Sequence, residues 1–376
     1  MNNTPKKHSR FSSSKTESRK RSRSRSSSNS PSKSQDFIPL LSSSPPKPVK
    51  EELRTPPWIR SHTLKLEDPL LQLHEEIIDF YDYMQPSESE IAAQQSVLTR
   101  LTDVAKELWE RAEVQVFGSL GSGLWMPNSD IDMVIMTNSD DEPSELINTF
   151  SHKLLQLKIP SQLERILTAK VPIVKIKDKA TGILVDISFN IDNGVEGINV
   201  VKNYINRYPE VKYIVFVMKY FLKQRGLNET YSGGIGSFLL FCMVVSSVQM
   251  HPAHREDRKY YSRYTLAHYL VHFLQLYGDT FNYDDVGISI KGEGYYFNKR
   301  SRQWYMSDKP GYLCVECPQN VDTDLGRNSF SIDLAKKAFS HAYKLLCAQN
   351  YTYAKSPLNL IIRVDDLIKG RPAHHI

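Results

Sequence analysis

The sequence predicts an α+β protein, in which a sheet flanked by helices gives way to a mostly helical second half. Three observations carry this reading. Short β-branched and apolar runs recur between residues 114 and 189. Helical periodicity precedes these runs and separates the second from the third. Beyond the turn signal Asn193-Gly194 the helical period dominates the rest of the chain.

Residues 1–56 are rich in Ser, Lys, Arg and Pro, and their centre reads RKRSRSRSSSNSPSKS from Arg19 to Ser34. Such a segment buries too little apolar surface to offset its ordering entropy, so it is expected to be a disordered tail. Its charge pattern suits a nuclear-import and RNA-tethering arm with phosphorylatable serines. An N-terminal helical segment, 57–92, follows. Trp58 and Ile59 anchor it, and Leu70, Leu71, Leu73, Ile77, Ile78, Phe80 and Tyr81 recur at helical spacing. Pro86-Ser87 opens the next helix, and Ser87 to Glu90 has the form of a capping box. Strands are predicted at Val114–Phe117, Asp132–Met136, Gln162–Leu167, Val171–Lys177 and Ile183–Phe189, with a helix over Pro143–Leu157. In the second half, helices are predicted from Pro209 to Gln224 with Gly226 as the stop, over the apolar run Ile235–Val248, and over Leu266–Tyr277 and Ile332–Cys347. A loop and short strand fill Tyr283–Tyr296. Residues 351–376 read as a short C-terminal tail that adds no separate RNA-binding domain.

Composition narrows the class. At 376 residues, 40% of them hydrophobic, the chain is large enough for two domains with real cores. It shows no apolar run long enough to cross a bilayer and no signal-peptide pattern at its N-terminus. Four scattered cysteines do not make a disulfide framework, and the lone pair Cys314 and Cys317 does not make a zinc site. An intracellular, reduced protein is expected. Residues 1–60 hold 14 Lys/Arg against 4 Asp/Glu, leaving 34 against 38 for the rest. The body is therefore mildly acidic, and any grip on nucleic acid there must come from a local patch.

The chemistry concentrates in Phe117–Ile135, FGSLGSGLWMPNSDIDMVI. Asp130 and Asp132 leave the same face of a strand. Paired carboxylates repel unless a cation lies between them. Gly118-Ser119, just after a strand, forms a turn of the kind that holds a phosphate. Asp186 stands inside LVDIS, where an unpaired carboxylate costs several kcal/mol. These three aspartates read as a metal-dependent catalytic centre. Oxygen-only ligation selects Mg²⁺ or Mn²⁺, and two such ions activate an attacking 3′-hydroxyl and stabilise pyrophosphate.

Beyond these residues, YSGGIGSF, FNYDDVGISI, VECPQNVDTDLGRNSF and PWI…LHEEIIDF extend the pattern. Together with GS…SDID and DISF, they resemble the non-canonical poly(A) polymerases of nuclear RNA surveillance, which act in TRAMP-type complexes. These belong to the DNA polymerase β-type nucleotidyltransferase superfamily. The resemblance runs from about Pro57 to about Leu346. It implies a nucleotidyltransferase domain with a mixed sheet flanked by helices, over 93–194. It also implies a helical central domain over 195–350, with the active-site cleft between the two and the N-terminal segment packed on the central domain. Gly118 and Ser119 match the signature that meets the triphosphate. Lys219 and Lys223 match phosphate contacts, and Asn193 and Gly194 match a loop near the ribose. Ser237 matches a further triphosphate contact, and Phe238 the ring that stacks on the base. Residues 316–330 resemble the nucleotide-recognition motif. There Thr323 takes the place of a base-reading residue, and Arg327 is expected to anchor the loop through a salt bridge. The implied activity is template-independent addition of AMP from ATP to RNA 3′ ends, tagging nuclear and nucleolar RNA for the exosome. The implied partners are a zinc-knuckle RNA-binding protein and an RNA helicase. A terminal uridylyltransferase of the same fold and a catalytically idle surveillance scaffold are the competing readings.

Overall fold

A computed structural model describes residues 55–169, 171–191, 193–255, 265–348 and 355–372. Nearly all of the predicted N-terminal tail lies outside these residues.

Helix α1 (Pro69–Tyr83) starts where Asp68 accepts the N–H groups of Leu70 and Leu71. Helix α2 (Glu88–Leu108) opens on the predicted capping box. Ser87 Oγ accepts the Glu90 N–H, and the Glu90 carboxylate accepts the Ser87 N–H at 2.7 Å. Strand β1 (Glu113–Phe117) leads through a single helical turn, α3 (Gly118–Ser122), into β2 (Ile131–Met136). Helix α4 (Pro143–Gln156) then precedes β3 (Pro160–Ile166), β4 (Ile173–Asp178) and β5 (Leu184–Phe189). The strands lie in the order β1-β2-β5-β4-β3. The β2–β5 pair is parallel and the others are antiparallel, so the sheet is mixed, as expected.

The period of two divides this sheet cleanly. Ile131, Met133, Val185, Ile187, Val174 and Ile176 face one side and are buried against α2 and α4. The alternate residues, which include Asp132 and Asp186, face the other side. A slip of one residue would exchange the two sets, so burial of the apolar face fixes which way the carboxylates point.

Helix α5 (Asn193–Arg207) begins at the predicted turn signal. Helix α6 (Glu210–Lys223) follows and ends near Gly226, whose φ of +63° suits glycine. Helix α7 (Ser237–Met250) is buried along most of its length, as its apolar composition requires. After α8 (Pro252–Arg255), helix α9 (Leu266–Gln275) departs from the predicted span. It widens into a π-helical turn over Leu276–Thr280. The cause is close packing against helix α10 (Ile332–Cys347). A Cβ on Gly278 would lie 2.5 Å from the Ser340 nitrogen. Strands β6 (Val286–Ser289) and β7 (Tyr295–Asn298) form a separate hairpin. The core of this half joins α1, α6, α7, α9 and α10. At its centre Phe80 meets Trp58, Phe216 and Tyr220 at ring distances of 5.3, 6.4 and 5.6 Å.

The expected short C-terminal tail is packed into this core. Leu358, Ile361, Ile362 and Ile368 are buried. The last lies in a final helical turn, α11 (Asp366–Lys369). Glu76 of α1, itself buried, accepts Trp58 Nε1 at 2.9 Å, the Leu358 N–H at 2.8 Å and the Ser356 hydroxyl. Tyr220 of α6 donates to Asp365 at 2.7 Å, and Arg371 reaches Glu90 at 3.1 Å. Residues 355–372 therefore strap α1, α6 and the start of α2 together.

Candidate active site

Asp132 and Asp186 are direct cross-strand partners on β2 and β5. Asp130 sits one residue before β2. Gly118 brings the chain against Asp132. Its φ is +61°, and a Cβ there would lie 2.0 Å from Asp132 Oδ2. Any side chain at 118 would thus push the carboxylate aside, which is the physical reason for glycine in the Gly-Ser pair. Burial pushes the Asp132 carboxyl up to about 7, and the charges of Asp186 and Asp130 add to it. Asp130 is raised for the same reasons, burial first and Asp186 second. The site is short of positive charge.

One cation partly meets that need, and it revises the reading of Asp186. Lys175, opposite Asp186 on β4, places Nζ 2.7 Å from Asp186 Oδ2. Burial opposes the lysine's charge, but its bond to Asp186 and the field of Asp130 raise it overall. Asp186 is therefore paired within the protein, and its place in a strand does not by itself require a metal. Among the described residues no group of three or more His, Cys, Asp or Glu side chains is assembled to hold a metal ion. Asp130 and Asp132 nevertheless offer carboxylate oxygens whose ionised forms are costly as they stand. That donor chemistry fits a hard divalent cation.

A cavity of about 290 Å³ opens beside Asp132, between α3, α5, α6 and α7. Gly118, Ser119, Lys219, Ser237 and Phe238 all line it. Lys219 donates to the Leu124 carbonyl at 3.2 Å. Burial pulls its ammonium down to about 8, and Asp132 partly offsets the shift. Lys223, one turn on, is not among the lining residues and reaches the Asn128 carbonyl at 3.4 Å. Ser237 is the first residue of α7, and Phe238 stacks on Phe241 at 6.2 Å with the rings 13° apart. Asn193 and Gly194 lie in the first turn of α5, and their side chains fall outside the described ones.

The recognition loop is placed differently from expectation. Neither Thr323 nor Arg327 lines the cavity, whereas Gln319 does. Gln319 Oε1 lies 3.8 Å from where a Cβ on Gly197 would stand. Arg327 is exposed and forms no ion pair among the described residues. The loop is anchored instead by Asp324, whose Oδ1 accepts the N–H groups of Val315 and Gly326 at 2.9 and 2.8 Å. Buried Glu316 adds a second anchor, with Lys291 at 3.2 Å and Arg302 beside it. Two signals in the sequence were open to use. An Asp two residues before a Gly-Arg pair is a local N–H acceptor. Gln319 is an amide beside Asn320, whose Oδ1 already serves the loop by accepting the Asp322 N–H at 3.0 Å. His251, His254 and His268 gather beside α9. His251 packs on Tyr269 at 4.6 Å and His254 bonds Glu210 at 2.6 Å, while His268 bonds Thr265.

Comparison with known proteins agrees with this geometry. Residues 73–206 match the model "Poly(A) RNA polymerase, mitochondrial-like, central palm domain", and residues 265–323 match "Cid1 family poly A polymerase". The chain is 36% identical over 317 residues to Poly(A) RNA polymerase CID14 of Cryptococcus neoformans, covering 82% of this chain and 41% of that one. It is 31% identical over 339 residues to Poly(A) RNA polymerase cid14 of Schizosaccharomyces pombe, covering 85% and 48%. The chain thus spans less than half the length of these two relatives. A Drosophila melanogaster relative named Inactive non-canonical poly(A) RNA polymerase protein Trf4-2 is 32% identical over 280 residues, covering 73% and 68%. A solved structure of the polymerase core of TRAMP, an RNA surveillance complex, superposes with a TM-score of 0.73 at 30% identity, covering 82% of this chain and 99% of that one. A cytoplasmic RNA terminal U-transferase shares the fold, with a TM-score of 0.64 at 21% identity, covering 75% and 95%. Matched at both domains, and over nearly the whole of the TRAMP polymerase core, the chain belongs to the non-canonical poly(A) RNA polymerases.

Proposed function

We propose that the chain is a template-independent adenylyltransferase that adds AMP from ATP to RNA 3′ ends. The observation that carries this is the cleft itself. Asp132 stands between the Gly118-Ser119 turn and Lys219, beside an aromatic wall formed by Phe238 and Phe241. In this reading Ser119 and Lys219 bind the triphosphate and neutralise part of its charge. Phe238 supports the base by stacking. Asp130, Asp132 and Asp186 would hold Mg²⁺ or Mn²⁺, which when bound supplies charge neutralisation at the transferring phosphoryl group. Lys175 holds Asp186 in place.

Gln319 is the polar side chain of the recognition loop that reaches the cleft, and its amide can both donate to and accept from a base edge. Gln319→Ala is expected to lower kcat/KM for ATP about tenfold, the worth of one hydrogen bond near 1.4 kcal/mol. The RNA KM should not move. Steady-state kinetics with each NTP in turn checks both points, and an unchanged ATP constant removes Gln319 from the base site.

The competing readings are weighed on the same assay. The uridylyltransferase likeness lies at 21% identity and speaks for the fold alone. The relative named inactive keeps the scaffold reading open. The full aspartate set present here, with Lys175 holding one member, supports activity. Similarity to the TRAMP polymerase core also supports a place in a TRAMP-type complex with a zinc-knuckle RNA-binding protein and a helicase, feeding the exosome. The basic tail of residues 1–56 supports nuclear, including nucleolar, residence. Deleting residues 1–56 should abolish nuclear accumulation of a fluorescent fusion. Unchanged accumulation would remove the tail from this account.

A further inference from the structure

The two walls of the cleft rest on different cores, and one side chain ties those cores together where the chain passes between them. Helix α1 packs Leu73, Ile77, Phe80 and Tyr83 into the core of the helical half. Helix α2 packs Val97, Leu101 and Val104 into the core under the sheet. Residues 84–87 make the crossing, and the chain returns between Phe189 and Val201. Arg371, at the end of the C-terminal strap, holds the first of these crossings. Its Nε donates to the Tyr83 carbonyl at 3.0 Å, and Nη2 donates to the Gln85 carbonyl. Its Nη1 donates to both carboxylate oxygens of Glu90 at 3.1 Å. The side chain is only 10% exposed, so water does not compete freely for these bonds.

The backbone of Arg371 is fixed to α1 by other means. The Tyr83 hydroxyl donates to the carbonyls of Ile368 and Arg371 at 2.7 and 3.2 Å. The guanidinium therefore adds what the apolar residues of the strap do not, a grip on α2. The last carbonyls of α1 have no helical partners, and the first turn of α2 favours a carboxylate. One planar fork meets both ends at once. Glu90 also accepts the Ser87 N–H at 2.7 Å, which joins this contact to the capping box.

The cleft is built from both sides of the crossing. Gly118, Ser119 and Asp132 come from the sheet side, and Lys219, Ser237 and Phe238 from α6 and α7. Further contacts come from the loop before β2. Leu124 and Met126 reach into the helical core, and Lys219 and Lys223 donate to the carbonyls of Leu124 and Asn128 at 3.2 and 3.4 Å. The start of α2 also borders the catalytic centre, because Ser89, Glu90 and Ala93 line a hollow of about 330 Å³ together with Asp130. Rotation of α2 about residues 84–87 would move the carboxylates of the sheet relative to Lys219 and Phe238.

We infer that Arg371 is a positioning residue, a clamp on the α1–α2 junction that holds the two walls of the cleft at their working separation. None of its side-chain partners lines the cleft, so it acts through the placement of α2. Its effect on turnover rests on the proposed adenylyl transfer, whereas the clamp itself does not.

Distance and rate are read separately. Lys106 of α2 and Lys337 of α10 are exposed, and of the four cysteines only Cys347 is exposed. Spin labels on Lys106→Cys and Lys337→Cys in a Cys347→Ser background report the separation by double electron–electron resonance. Arg371→Ala is expected to widen the distance distribution about twofold. Arg371→Lys keeps the charge but loses the fork, and should widen it less. In the unlabelled chain, Arg371→Ala should raise the KM for ATP and lower kcat, for a combined loss of about tenfold in kcat/KM. A residue that served stability alone would lower the folded fraction and leave both KM and the distribution width unchanged. Distributions in both variants as narrow as wild type overturn the clamp, and Arg371→Lys decides the matter if Arg371→Ala does not fold. A widened distribution with unchanged ATP constants overturns the positioning role. A wild-type chain that adds no nucleotide overturns the proposed activity instead, and the distances still judge the clamp.

Discussion

Asp132→Ala is expected to abolish nucleotide addition, lowering kcat/KM roughly a thousandfold or more, while the chain still folds. Three features place this residue at the centre. It is in register with Asp186, Gly118 is kept bare to make room for it, and it lines the cleft beside Lys219 and Phe238. Folding should survive because the carboxylate is a burden on the fold. Its pKa near 7 lies above the ordinary carboxyl value, so the folded chain binds this proton more tightly than the unfolded chain. Stability is accordingly lost as pH rises from about 4 through 7. Asp132→Asn in EDTA at pH 8 should therefore melt higher than wild type, and the gain should vanish near pH 4. Thermal melts beside primer-extension rates check the pair. An inactive variant that melts well below wild type would mean Asp132 is structural. Near-normal extension would remove it from the chemistry.

Truncation after residue 354 is expected to be the most damaging change to stability. It removes buried Leu358, Ile361, Ile362 and Ile368, each worth about 1.5–3 kcal/mol. It also strips Glu76 of two of its three hydrogen-bond donors while leaving it buried in α1. Against a typical net stability of about 5–15 kcal/mol, the truncated chain should fail to accumulate as a folded protein. The graded version is Ile362→Ala, which should cost about 2–5 kcal/mol in chemical denaturation with little change in kcat. A truncated chain that melts with wild-type cooperativity at the wild-type temperature would contradict the strap.

Much of the fold was legible because long elements declare themselves through their period. The capping box at Ser87, the alternation in β2 and β5 and the apolar run of α7 each act within one element. The strap was not legible for the opposite reason. Residues 355–372 form short turns with no repeat, and their burial depends on α1 and α6, which lie nearly 300 and 140 residues earlier. In the site, the aspartates and the Gly-Ser turn were readable from type and spacing. Lys175 was readable in principle. Counting outward from the turn between β4 and β5 sets Lys177 against Leu184 and Lys175 against Asp186. Reading Asp186 as unpaired missed that step. The recognition loop misled because residue type alone does not say which side chain of an irregular loop turns inward. Gln319 reaches the cleft, and Asp324 turns back on its own backbone.

The central claim is the transfer of adenylate to RNA. The most direct measurement incubates the purified chain with 5′-labelled oligo(A) and one nucleoside triphosphate at a time, with Mg²⁺ or Mn²⁺ and again with EDTA. Extension with ATP is expected well above that with the other three nucleotides, lost in EDTA and lost in Asp132→Ala. Extension with UTP above ATP, or no extension by the folded chain, would contradict it.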